Sequence, residues 1–161
     1  MPRPLFTAIA IMAAVGVFVS VYGLWQHYAP AGSSFCNISA IISCDFVNQS
    51  AWSEIAGIPV AAIGIFGYLA IFALALAARW ESLANQRLLA ALLLGLGSLG
   101  LVLQLIFTYI ELAIIGAICP ICIASQIIIF VIAVIAFIAW RRALRAKLSP
   151  LSNAQLPTPN F

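Results

Sequence analysis

Four apolar runs of about 20 residues each dominate this chain, and about 20 such residues as helix are enough to cross a bilayer. They lie at roughly residues 5–25, 58–78, 88–110 and 119–140. Of 161 residues, 65% are hydrophobic and 7% charged, against about 25% charged in ordinary soluble domains. No water-soluble globule of this size could hide so much apolar surface. The fold class is therefore all-α integral membrane: a four-transmembrane-helix bundle, one domain over residues 1–148. An outer loop, residues 26–57, carries a half-helix between helices 1 and 2. The Pro/Ser/Asn-rich stretch 149–161 is expected to be a disordered cytoplasmic tail. The first run exceeds the 7–15 residues of a signal-peptide core, so it is read as a span despite the cleavage-like Ala29-Pro30-Ala31.

The formal charge of +3 does not point to an acidic partner or a nucleic acid. All seven Lys and Arg fall near the N-terminus, between Arg79 and Arg87, or after Trp140. Cationic segments stay cytoplasmic, so four spans with both termini inside satisfy every one of them. That topology puts all four cysteines on the outer side, which in a prokaryotic inner membrane faces an oxidising compartment where disulfides persist.

Within the loop, Ile38, Ile41 and Ile42 have the spacing of one helix face. They predict a short amphipathic segment at the membrane surface. In the spans, Pro59 suits a helix start. Gly64 and Gly67, and the pair Ala91 and Gly95 with Gly97, Ser98 and Gly100 beyond, predict close helix approach. Gln104 and Thr108 are polar groups within the third span, so Gln104 is expected to face the bundle, as a helix-to-helix hydrogen bond or a ligand contact.

The chemistry lies in the cysteines. Cys119-Pro120-Ile121-Cys122 is a CxxC at the outer end of the last span. At a helix start the unpaired N–H groups and the dipole favour a thiolate, and Pro120 fits there. Cys36 and Cys44 lie in the polar loop. In continuous helix their Cα atoms would be about 12 Å apart, whereas a disulfide needs about 4.4–6.8 Å. That pair closes only if the segment bends or unwinds. Four thiols allow three connectivities. Zinc would require a second Cys or His pair beside the CxxC, and the single histidine, His27, is read as an interfacial residue. Stapling disulfides would add little to helices already held by their own packing.

Order and spacing carry a resemblance. Cys36 to Cys44 enclose seven residues; Ser50-Ala51-Trp52, Gly57-Ile58-Pro59 and Gly64 to Tyr68 follow; Cys119-Pro120-Ile121-Cys122 closes the set. Over about residues 5–142 the pattern resembles the vitamin K epoxide reductase family, in its small prokaryotic form without a fused thioredoxin-like domain. The resemblance implies a membrane enzyme that couples disulfide formation to reduction of a quinone, ubiquinone or menaquinone, without a metal. It implies that a separate periplasmic thioredoxin-like (DsbA-like) protein gives electrons to Cys36 and Cys44. Cys44 then exchanges with Cys119, and Cys122 faces the quinone. Ser50 matches the family's loop serine near the quinone. The animal enzymes carry a tyrosine four residues after the second CxxC cysteine and an asparagine early in the second span. Here those places hold Gln126 and Val60, which favours plain quinone over epoxide, with Gln126 and Gln104 as substitute donors.

The competing readings are a quinone reductase of the other periplasmic type, a disulfide-stapled scaffold and a thiolate heavy-metal carrier. The first would place its CxxC in the first outer loop. Trp52 is expected to anchor at the interface. A monomer surrounded by lipid is the expected state.

Overall fold

The computed structural model describes residues 3–39 and 41–153. Four long helices form an antiparallel bundle: α1 (Arg3–Tyr28), α3 (Val60–Trp80), α4 (Leu83–Ile110) and α5 (Pro120–Asn153). The shortest has 21 residues, about 30 Å of helix, enough for the hydrocarbon core. α1 packs chiefly on α3 and α5, and α4 on α5. The core is built from small and branched side chains, among them Phe6, Ile9, Leu93 and Ile132. Large apolar residues such as Phe18 and Phe66 point outward. That arrangement suits lipid rather than water, and the chain is a multi-pass membrane protein. α5 runs to Asn153, into the stretch assigned to the tail, and residues 154–161 lie outside the described residues.

Close helix approach uses only some of the expected positions. Gly64 packs against Ser20, and Gly97 against the backbone of Ala133; Gly67 and Gly95 face open space. The small residue that matters depends on which stripe of the helix meets its neighbour, and runs of small residues do not reveal that.

The outer loop does not form the amphipathic helix that the isoleucine spacing predicts. Ile38 and Ile41 are exposed, and the short helix α2 (Cys44–Asn48) begins only after them. Tertiary pairing prevails over local period. Ile42 makes a parallel bridge to Ile118, with Ile118 N–H donating to Ile41 C=O at 2.7 Å and Ser43 N–H to Ile118 C=O at 3.2 Å. Ser43 then caps α2 by accepting from Phe46 N–H. A two-residue hairpin follows, β1 (Glu54–Ile55) against β2 (Ile58–Pro59). Ala56 and Gly57 both have positive φ there, the conformation that a two-residue hairpin turn requires.

At the end of α4 the chain makes one wider π-turn, Glu111–Ile115, closed by Gly116 N–H donating to Glu111 C=O at 2.8 Å. Gly116 has φ 71°, where a Cβ is unfavourable. The reversal aims Ile118 at the loop and starts α5 at Pro120. Arg3 and Arg79 share a recess with Trp80 at the opposite end of the bundle from the cysteines.

Candidate functional site

The backbone bridge at Ile42 and Ile118 brings the two cysteine pairs into one buried cluster. Cys36, Cys44 and Cys119 pack there with Val47 and Ala117, and Cys122 packs against its edge. Cys44 and Cys119 are fully buried, and Cys36 is 4% exposed. Cys36 and Cys44 form a disulfide with Cα atoms 5.8 Å apart, which the unwound segment permits. Cys119 and Cys122 are free thiols.

The CxxC divides its two sulfurs by position. Cys119 immediately precedes α5, and its sulfur accepts from Cys122 N–H at 3.4 Å, as a helix cap would. Hydrogen bonding from the Cys122 thiol, with two backbone N–H groups, holds the Cys119 thiol below its ordinary value; burial and the nearby Glu111 charge oppose this without cancelling it. Cys122, three residues on, turns to the other side and lines a cavity of about 320 Å³.

A polar network threads between the pairs. Asp45, buried at the start of α2, accepts from Ser34 Oγ, from Gly32 N–H at 2.6 Å and from Asn37 Nδ2 at 2.7 Å. Burial raises its carboxyl, but these bonds outweigh it and the group is held below the usual carboxylate value. Gln26, fully buried at the end of α1, donates to Ser34 Oγ at 2.7 Å and reaches Cys36 Sγ at 3.4 Å. Its carbonyl accepts from Asn48 Nδ2 at 3.2 Å, and that same amide lies 3.6 Å from Cys119 Sγ. The sequence alone assigns no place in the site to these five polar residues, Gln26, Ser34, Asn37, Asp45 and Asn48. The available signal was Gln26 closing an apolar span, which is costly unless bonded.

The cavity is mostly apolar with a few polar points. Ser50 lines it and donates to Val47 C=O at 2.8 Å; half-exposed Trp52 forms part of the wall. Gln104 lines it and donates to Ser125 Oγ at 2.8 Å, so it makes a helix-to-helix bond while facing the cavity. Tyr68 OH meets the same Ser125 hydroxyl at 2.9 Å and donates to Ser125 C=O at 2.9 Å. Val60 is also in the wall. Gln126 is placed differently from its expected role: it accepts from Thr108 Oγ1 at 2.7 Å and is not part of the cavity lining. One turn beyond Cys122, its side chain faces α4 instead.

His27 bonds through both ring nitrogens, Nδ1 to Asn48 C=O at 2.6 Å and Nε2 to Glu54 Oε1 at 2.9 Å. It ties α1 to the loop and the hairpin rather than standing free at the interface. Among the described residues, no group of His, Cys, Asp and Glu is arranged to hold a metal ion.

A buried disulfide packed against a second, reduced CxxC, in a four-helix membrane bundle, is an arrangement for thiol–disulfide exchange. The family profile described as "Vitamin K epoxide reductase family" matches residues 7–137, most of the chain and all four cysteines. The chain belongs to the vitamin K epoxide reductase family, whose members are membrane disulfide oxidoreductases.

Proposed function

We propose that this protein generates disulfides for a separate thioredoxin-like partner and reduces a quinone with the electrons. The cysteine end faces the periplasm of a prokaryotic inner membrane, and both termini are cytoplasmic. The observation that carries this reading is the burial of Cys44 and Cys119 in one cluster while Cys122 opens onto the apolar cavity. The loop pair thereby lies on the loop side of the cluster, and Cys122 lies on the cavity side.

The electron balance is simple. A partner dithiol reduces the Cys36–Cys44 disulfide and leaves with its own disulfide. The Cys44 thiolate then attacks Cys119 of an oxidised CxxC and displaces Cys122. Cys36 attacks Cys44, releases Cys119 and restores the loop disulfide. The CxxC is left as a dithiol, the covalent state in this structure. Two electrons and two protons then convert a quinone to a quinol. The cavity suits a flat apolar ring with two carbonyl oxygens: its walls are apolar, and Gln104 spends only one amide hydrogen on Ser125. Because Cys36 and Cys44 are buried, the loop must open to admit the partner.

The test mixes purified protein, a reduced thioredoxin-like protein and ubiquinone or menaquinone, and follows quinone loss. Turnover is expected for the wild type. No loss, while a known quinone reductase works in the same mixture, would sink the reading. Cys122→Ala should abolish turnover. Cys36→Ala should block partner oxidation yet spare quinone reduction by a small dithiol.

A further inference from the structure

We propose that Glu111 is the proton carrier between the Cys119–Cys122 dithiol and the quinone substrate. This rests on the quinone-reductase reading above and adds to it the route of the protons.

Glu111 sits in the π-turn at the end of α4, is only 5% exposed and lines the cavity beside Cys122. Its Oε2 accepts from Cys119 N–H at 3.3 Å, and it shares the cavity wall with Cys122. An ionisable side chain at membrane depth is costly and marks function more often than packing. A structural role at Cys119 N–H would need only a neutral acceptor, which an amide supplies. A carboxyl adds the ability to take up and release a proton at the reacting sulfur.

The groups around Glu111 leave this task to it. From the start of α5 it faces Cys119 and Cys122, and from the loop the Cys36–Cys44 disulfide packs in one cluster with Cys119. Among the described residues, the cavity's other ionisable side chains are His27 on α1 and Tyr68 on α3. His27 is bonded to Asn48 and Glu54, and Tyr68 to Ser125. Among the described residues, no Lys or Arg is in the cavity wall.

Forming the Cys119–Cys122 bond breaks two S–H bonds and sends two electrons to the quinone ring. Glu111 takes the proton from Cys122 Sγ as the thiolate forms, and releases it to a quinone oxygen. It takes up the second thiol proton in a second cycle and ends as the carboxylate it began as. Positioned acid–base groups contribute about 10²–10⁴ in rate.

The test compares wild type with Glu111→Gln, which keeps an acceptor for Cys119 N–H. The first readout is a single turnover of the fully reduced protein with a short-chain quinone between pH 6 and 9. The variant should be about 100-fold slower near neutrality, and the gap should narrow as pH rises and the thiols ionise without a base. The second readout needs no quinone. The infrared difference spectrum between the dithiol and disulfide states should contain a carboxyl C=O band that shifts in D₂O and is missing in the variant. A variant within threefold of wild type, a gap constant with pH, or identical infrared spectra would overturn the proposal. A wild type that reduces no quinone sinks the underlying reading instead, and the infrared comparison then decides Glu111 alone.

Discussion

Asn48 holds its side-chain amide 3.6 Å from Cys119 Sγ, across 71 positions of chain. The same amide donates to Cys44 C=O at 3.1 Å, one turn back along α2. Asn48 thus links the Cys44 backbone to the Cys119 sulfur, and it offers a donor to a Cys119 thiolate. Removing it should weaken that thiolate by the worth of one hydrogen bond, about 1 kcal/mol, or about fivefold. Asn48→Ala should therefore slow alkylation of Cys119 by iodoacetamide about fivefold near pH 7, read by mass spectrometry of the labelled peptide. Equal labelling rates would remove Asn48 from the relay.

Asp45 gives the loop a pH dependence of definite sign. Its carboxyl is held below the ordinary value by bonds from Ser34, Asn37 and Gly32. A depressed carboxylate stabilises the fold fully above its unfolded pKa, and the contribution is lost as pH falls through the folded value. The Cys36–Cys44 disulfide should then resist a water-soluble phosphine at neutral pH and yield to it in acid. Asp45→Asn should be reduced roughly tenfold faster near neutrality, since charge-assisted bonds are the stronger kind. The two proteins should converge at low pH. A constant ratio across the range would mean that the charge is irrelevant.

The four apolar helices and the segregation of charge from cysteine were readable because length, apolarity and charge are local properties. The internal geometry was not. Ile38, Ile41 and Ile42 carry a helical period, but Ile42 is held by Ile118, and no property of the loop's own sequence announces that bridge. Gln26, Ser34, Asp45 and Asn48 look like ordinary loop polar residues until the fold closes a buried network over them. Glu111 did carry a signal, since it is a lone acid between Ile110 and Leu112 and eight residues before Cys119. Gln104 admitted two readings, bond or ligand contact, and its geometry combines a bond to Ser125 with a place in the cavity wall.

That double position makes Gln104 separable by kinetics. Its bond to Ser125 is a single interhelical bond, and such bonds average about 0.6 kcal/mol in membranes. Gln104→Leu should barely change the melting temperature. If its second amide hydrogen meets a quinone oxygen, KM for quinone should rise several-fold with kcat nearly unchanged, the mark of lost uniform binding. Titration of quinone in steady-state turnover checks this. An unchanged KM would restrict Gln104 to helix packing.

Gly16 and Gly67 make a matched pair for testing what holds the cavity wall. A Cβ added at Gly16 would lie 2.5 Å from the Tyr68 ring, whereas one at Gly67 would meet nothing within 4 Å. The ring cannot swing away freely, because Tyr68 OH is bonded to both the hydroxyl and the carbonyl of Ser125 at 2.9 Å. Gly16→Ala must therefore shift a helix or break those bonds, and overpacking of this kind costs about 1–3 kcal/mol. Gly67→Ala meets no neighbour and gains helix propensity, worth up to about 1 kcal/mol. Thermal unfolding in detergent should show the first variant less stable than wild type and the second equal or more stable. Because Tyr68 also lines the cavity, Gly16→Ala should lose quinone turnover at temperatures well below its own melting point. Equal stability of the two variants would mean that α1 and α3 can part at Gly16 without cost, and that Tyr68 is not held by the bonds around it.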